Sequence, residues 1–160
     1  MAEVQLSQGP VVFVDDADLG LVAGHAWRLD TNGYAQRKFW IGSDQYGWEL
    51  MHRLIIGAKP GEVVDHIDQN QLNNRRGNLR IATKSQNACN TKKQPGKSSK
   101  HKGVTRSKTA GRWIAQIFLN QKCHHLGTFS SEDEAAHEYN KAAIRLHGEF
   151  ACLNPIGEDK

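Results

Sequence analysis

Between residues 69 and 131 the chain carries no aspartate and no glutamate. The same stretch holds Arg75, Arg76, Arg80, Lys84, Lys92, Lys93, Lys97, Lys100, Lys102, Arg106, Lys108, Arg112 and Lys122, which are 13 of the 21 lysines and arginines. A formal net charge of +4 therefore conceals a basic middle and a net acidic remainder. Solvated surfaces normally mix signs, so a one-sign tract repels itself until an anion meets it, and a nucleic acid is the partner this footprint implies. Cysteine is scarce as well: Cys89, Cys123 and Cys152 are odd in number, widely spaced and form no C-x-x-C pair. This argues against a zinc knuckle or a disulfide framework and makes a reducing compartment the expectation. No apolar run approaches the ~20 residues that cross a bilayer. Glu3 and the lack of an apolar core near the start argue against a secretory signal, so cytoplasmic action with no membrane partner is expected.

What is present fits one ordinary domain or two small ones in 160 residues, with a hydrophobic fraction of 38% and hence a thin core. Residues 1–50 read as short strands and turns. Val11-Val12-Phe13-Val14 is a strand, and Ala26-Trp27-Arg28-Leu29 leads through Asp30-Thr31-Asn32-Gly33 into a return from Tyr34 to Trp40. Trp27, Tyr34, Phe39, Trp40 and Trp48 either form a nucleic-acid platform or, as expected for most of them, pack a small β core. Met51 to Ile56 is an apolar segment ending at Gly57, and Val63-Val64-Asp65-His66 is a short strand that brings its last two residues to a rim. After a very polar loop, Thr83 and Gln86 have capping-box spacing, which starts a helix at Lys84 and puts Asn87 near the end of its first turn. Residues 91–102, basic and containing Pro, Gly and Ser, read as a flexible tether. Beyond it, Arg112 to Leu119 alternates as a half-buried strand and returns through Asn120-Gln121. Ser131 and Glu134 then cap a helix whose stripe is Ala135, Tyr139, Ala142, Ala143 and Leu146. The fold class is α+β. The expected division is 1–90, a linker at 91–102, a second unit at 103–154 and a tail at 155–160.

Asp65, His66, Asn78 and Asn87 form the chemically suggestive set. Phosphodiester hydrolysis needs an activated water, charge neutralisation at phosphorus and help for the departing oxygen, and a hard cation on a few oxygens supplies the last two. Asp65 and Asn87 are suitable oxygen donors, and strand alternation turns His66 away from Asp65, toward an attacking water. An imidazole titrating near neutrality suits the general base. Asn78 has a donor and an acceptor with which to bridge the two ends of the loop and fix the His66 backbone. Asn70, Asn73 and Asn74 read as turn residues.

Val64-Asp65-His66-Ile67-Asp68, Leu72-Asn73-Asn74-Arg75, Gly77-Asn78-Leu79-Arg80 and Ser85-Gln86-Asn87 together resemble an HNH endonuclease of the phage and intron-encoded homing type, over roughly residues 10–92. The resemblance implies a ββα-metal site at about 50–90, with His66 as general base, Asp65 and Asn87 on the metal and Asn78 as the structural middle residue. Many members have histidine where this chain has Asn87, and asparagine there implies one divalent cation, Mg²⁺ or Mn²⁺, rather than zinc. His52, with Arg53 beside it, either touches a phosphate or strand or packs as a structural histidine.

A second resemblance covers about 101–154. His101-Lys102-Gly103-Val104, Gly111-Arg112-Trp113-Ile114-Ala115-Gln116-Ile117, Leu126-Gly127-Thr128-Phe129 and the run from Glu134 to Ala143 are similar to an AP2 DNA-binding domain. That family lays a three-stranded antiparallel sheet in the major groove and packs one helix behind it. Lys102, Thr105, Ser107, Arg112, Gln116, Cys123, His125 and Thr128 fall at sheet positions that contact DNA in plant members, though Thr105, Ser107, Phe118, Cys123 and His125 replace the arginines and tryptophan found there. Arg106 and Lys108, and Arg75, Arg76, Lys92, Lys93, Lys97 and Lys100 outside the sheet, are phosphate candidates by charge. The expectation is a homing or mobile-element DNA endonuclease, phage-encoded or bacterial, that nicks duplex DNA without a small-molecule cofactor, as a monomer or homodimer. Its rivals are a DNA-binding protein with a vestigial nuclease module and an RNA-binding or RNA-cleaving protein.

Overall fold

β-branched residues at 11, 12 and 14 favour an extended strand whose alternate side chains face one way. In the computed structural model, which describes residues 1–93, 98–109 and 111–157, Val12 and Val14 are fully buried. Two compact units divide the chain, Met1–Thr83 and Lys84–Lys160. Among the described residues no helix is long and apolar enough to cross a membrane.

In the first unit β1 (Ala2–Gln5) runs antiparallel to β2 (Val11–Val14). A short helix, α1 (Leu19–Val22), follows, and the Trp27 indole donates a 2.8 Å hydrogen bond to the Val22 carbonyl from within the core. β3 (Arg28–Leu29), β4 (Ala35–Gly42) and β5 (Gln45–Leu50) form an antiparallel sheet in that order. Ser43 and Asp44, at φ 47° and 58°, make the tight two-residue turn between β4 and β5. α2 (Met51–Ile56) buries Met51, His52 and Ile55 and stops at Gly57, whose φ of 71° only glycine adopts cheaply. β6 (Val63–His66) and β7 (Leu79–Ala82) then pair antiparallel. Val12, Val14, Val22, Trp27, Ala35, Met51, Ile55 and Leu79 share one core.

The aromatic residues divide differently from expectation. Trp27 is core, but Phe39, Trp40 and Trp48 are exposed. The reason is geometric: Ala35 is buried at the inner end of β4, whereas the strand becomes exposed toward the hairpin turn, and among the described residues of the first unit no second layer covers the outer rings.

The second unit begins with α3 (Lys84–Cys89), then β8 (Val104–Arg106), β9 (Trp113–Leu119) and β10 (Lys122–Phe129), with β9 central. Asn120 and Gln121, at φ 48° and 65°, turn β9 into β10. α4 (Glu132–His147) carries the Ser131–Glu134 capping box in full and packs on β9 and β10. Ala115 meets Ala135 and Ala136, while Ile117 meets Tyr139, Ala142 and Ala143.

The tether reading does not describe residues 99–102. The Ser99 hydroxyl donates to Glu132 at 2.6 Å, the Lys100 amide donates to the same carboxylate, and His101 is buried 3.2 Å from Asp133. The Lys102 ammonium donates to the Cys89 and Thr91 carbonyls at 2.6 Å each. These partners lie far off in sequence, so composition alone did not reveal them. Lys97 and the last three residues of the tail lie outside the described residues.

Candidate active site

Pairing of β6 with β7 sets Asp65 opposite Arg80 and His66 opposite Leu79. The Arg80 guanidinium donates from Nε at 2.9 Å and from Nη2 at 2.7 Å, both to Asp65 Oδ2. Both side chains are largely withdrawn from solvent, so the pair is well ordered rather than a loose surface contact.

His66 is buried, with Nε2 3.0 Å from Asn74 Oδ1. Asn74 has no solvent exposure, and its Nδ2 lies 3.3 Å from the Gln71 carbonyl and 3.8 Å from Met51 Sδ, both acceptors. That orients Oδ1 toward the imidazole, so Nε2–H is the donor and the lone pair of the neutral ring is on Nδ1. β2 holds the arrangement in place: the Asn74 amide donates to the Phe13 carbonyl and the Phe13 amide to the Leu72 carbonyl, both at 2.8 Å. Burial pushes His66 below the ordinary imidazole range, against the Asn74 hydrogen bond and the Asp68 and Asp65 charges, which raise it.

Tyr34, His52 and His66 form a ring cluster, with centroids 5.0 Å apart for Tyr34–His52 and 5.1 Å for His52–His66. Burial, the neighbouring His66 and Arg53 push His52 down to about 3, so at neutral pH it is an uncharged packing partner of the His66 ring. Arg53 donates to the Glu62 and Lys59 carbonyls and fastens that turn.

Asn78 ties the loop between β6 and β7. Its Nδ2 donates to Asp68 Oδ1 at 2.8 Å and to the Asn73 carbonyl at 2.7 Å, and its Oδ1 accepts from the Asp68 amide at 2.9 Å. Its own carbonyl accepts from Ile67, the residue after His66. Burial raises Asp68, but hydrogen bonds from Asn73, the Asn70 amide and Asn78 outweigh it and hold the carboxyl below its usual range.

A hard cation fits oxygen donors of this kind. Asp65 offers a carboxylate at the strand end of the first unit. Asn87 is half-buried on α3 of the second unit. Among the described residues no group of three or more His, Cys, Asp or Glu is set to hold a metal ion.

Several of the cations are engaged within the protein. Arg76 forms a bidentate pair with the buried Asp18, at 2.7 Å from Nη2, and Arg75 Nε donates to Asn73. Lys102 caps carbonyls at the end of α3, and burial holds its ammonium below the usual lysine range. Lys92, Lys100, Arg106, Lys108 and Arg112 are exposed, and Lys93 is half-buried. In the sheet, register sets Thr105, Gln116, Phe118, Cys123, His125 and Thr128 on the face opposite Ala115 and Ile117. Ser107 accepts from the Thr109 amide beyond β8. A cavity of about 550 Å³ in this unit is lined by Lys84, Ala88, Lys102, Thr105, Gln116 and Phe118 among others.

Sequence reasoning missed Asn74. Its signal was thin, because loop asparagines also serve turns and only the Leu72–Phe13–Asn74 ladder turns this one inward.

Residues 49–89 match a family model described as HNH endonuclease. An uncharacterised HNH endonuclease of Acanthamoeba polyphaga mimivirus is 35% identical over 150 residues, covering 93% of this chain and 77% of that protein. An AP2-like ethylene-responsive transcription factor of Arabidopsis thaliana is 46% identical over 59 residues, 36% of this chain and 10% of that protein. A solved structure of DNA binding and cleavage by the HNH homing endonuclease I-HmuI has 30% identity and a TM-score of 0.35, covering 40% of this chain and 39% of that one.

Proposed function

The chain belongs to the HNH endonuclease family, and we propose that it is a metal-dependent DNA endonuclease that hydrolyses one phosphodiester of duplex DNA to a 5′-phosphate and a 3′-hydroxyl. The observation that carries this reading is the buried His66, fixed by Asn74 and set beside Asp65 at the end of β6. In this reading residues 1–90 are the nuclease module, with the ββα-metal element at about 50–90. Residues 103–154 are an AP2-like domain that targets it, and one site per chain makes a nick.

His66 accepts the proton of the attacking water at Nδ1, and its Nε2–H stays on Asn74, so the ring neither rotates nor changes tautomer as it charges. The lowered basicity keeps the imidazole neutral, and therefore ready as a base, at physiological pH. Asn78 holds the backbone after His66 and so fixes where the base points. HNH nucleases generally use a divalent ion, here Mg²⁺ or Mn²⁺. Asp65 and Asn87 would hold it, and when bound it would neutralise charge at phosphorus and stabilise the leaving 3′ oxygen. Thr105, Gln116, His125 and Thr128, on one sheet face, would meet the duplex, with Lys92, Lys93, Lys100, Arg106, Lys108 and Arg112 on its phosphates.

Supercoiled plasmid incubated with Mg²⁺ or Mn²⁺ tests the reading. The parent should yield open circles, and His66→Ala should lower the rate by about 10²–10⁴-fold. A plasmid left supercoiled with either metal across candidate targets would favour a DNA-binding protein without catalysis, and equal cutting by parent and variant would remove His66 as the base.

A further inference from the structure

The β4–β5 hairpin has two unlike faces. One carries Arg37, which pairs with Glu49 at 2.6 Å and lies over the buried Trp27 ring. On the other, register sets Trp40 opposite Tyr46 and Lys38 opposite Trp48, with Arg28 of β3 opposite Gln36. The rings here face solvent: Trp40 is 66% exposed, Tyr46 56% and Trp48 49%. Cations alternate with them, Lys38 Nζ lying 4.0 Å from the Tyr46 ring centre and Arg28 Cζ 4.1 Å from that of Trp48. None of the strand residues on this face is acidic, Glu49 being on the reverse. Beside the rings is a hollow of about 410 Å³ lined by Ser7, Gln8, Ala26, Arg28, Lys38 and Trp48.

Three neighbouring exposed rings make a contiguous apolar patch of the kind that marks an interaction site. The interleaved cations require that partner to be anionic, and the rings require it to present flat faces. Duplex DNA offers phosphates but keeps its base faces stacked inside, whereas an unpaired strand offers both. Tyr46 and Trp48, alternate residues of β5, are ~6.8 Å apart, which leaves room for a base at each, and Trp40, directly across from Tyr46 on β4, widens that end of the platform.

We propose that this face binds single-stranded DNA, with bases stacked on Trp40, Tyr46 and Trp48 and the backbone on Arg28 and Lys38. The surface goes beyond the catalytic reading and does not depend on it.

The intact protein would be titrated, at matched salt, into a labelled short oligothymidylate and into a blunt duplex, with anisotropy as readout. Trp40→Ala and Trp48→Ala should each weaken oligothymidylate binding by about tenfold, with duplex affinity held within about twofold. Trp48→Phe should restore most of the loss. Arg28→Gln with Lys38→Gln keeps the rings and should flatten the salt dependence by about 0.7 per cation. Unchanged single-strand binding in the tryptophan variants overturns the proposal. So does a parallel loss on both probes, which would make the hairpin a reader of duplex grooves. Oligothymidylate binding is read without cleavage, so a failed cleavage assay and a failed stacking surface give separate results.

Discussion

At the His66 ring, a single 3.0 Å hydrogen bond to Asn74 determines which nitrogen can take a proton. Asn74→Ala should therefore do more than loosen the loop. Without the bond the ring can rotate and exchange tautomers, and cleavage should fall by about tenfold, the size of one buried hydrogen bond. The bond also raises the basicity of His66, so its loss should move the acid limb of the pH–rate profile lower while the plateau drops. A base works only when deprotonated, so a lower pKa extends activity toward acid. A residue with a purely structural role would lower the plateau and leave the limb where it is. Asp65 and His66 were legible in the sequence because they are adjacent at a strand end. Asn74 was not, because what turns it inward is the ladder to Phe13, a partner on a remote strand.

Elements were legible to the extent that their information is local. The Asn120-Gln121 turn, the Ser131–Glu134 cap and the alternation of β9 all appear as read, since each depends on neighbours in sequence. The hairpin's exposure was not legible, because alternation tells which residues share a face and not whether a second layer covers it. Gly103 shows how tightly one junction is set. It adopts φ +73°, and an added Cβ would lie 2.0 Å from the Tyr139 ring and 2.5 Å from the Gln116 carbonyl. Gly103→Ala should destabilise the second unit by about 2–4 kcal/mol, combining backbone strain with overpacking. Urea unfolding followed through Trp113, in a background with the other tryptophans replaced by phenylalanine, would report it.

Across the whole molecule, three of the 13 cations of the acid-free tract are paired within the protein, which on the proposed reading lowers the number of phosphates the tract would neutralise. Arg76, Arg80 and Lys102 are engaged with Asp18, Asp65 and the carbonyls after α3. With those three removed, the logarithm of duplex affinity should fall against the logarithm of salt with a slope of at most about 9, rather than ~12. Arg76→Ala should leave that slope unchanged, and anisotropy across a potassium chloride series would measure both. The Asp65–Arg80 pair has one more consequence. Small metal-dependent domains often cannot fold until their ion arrives, because the ligands would otherwise crowd like charges together. Here the strand end already has its counter-charge in register, supplied by the chain itself. On the proposed reading the fold therefore need not wait for its ion, and ion supply would control when the protein acts and not whether it folds.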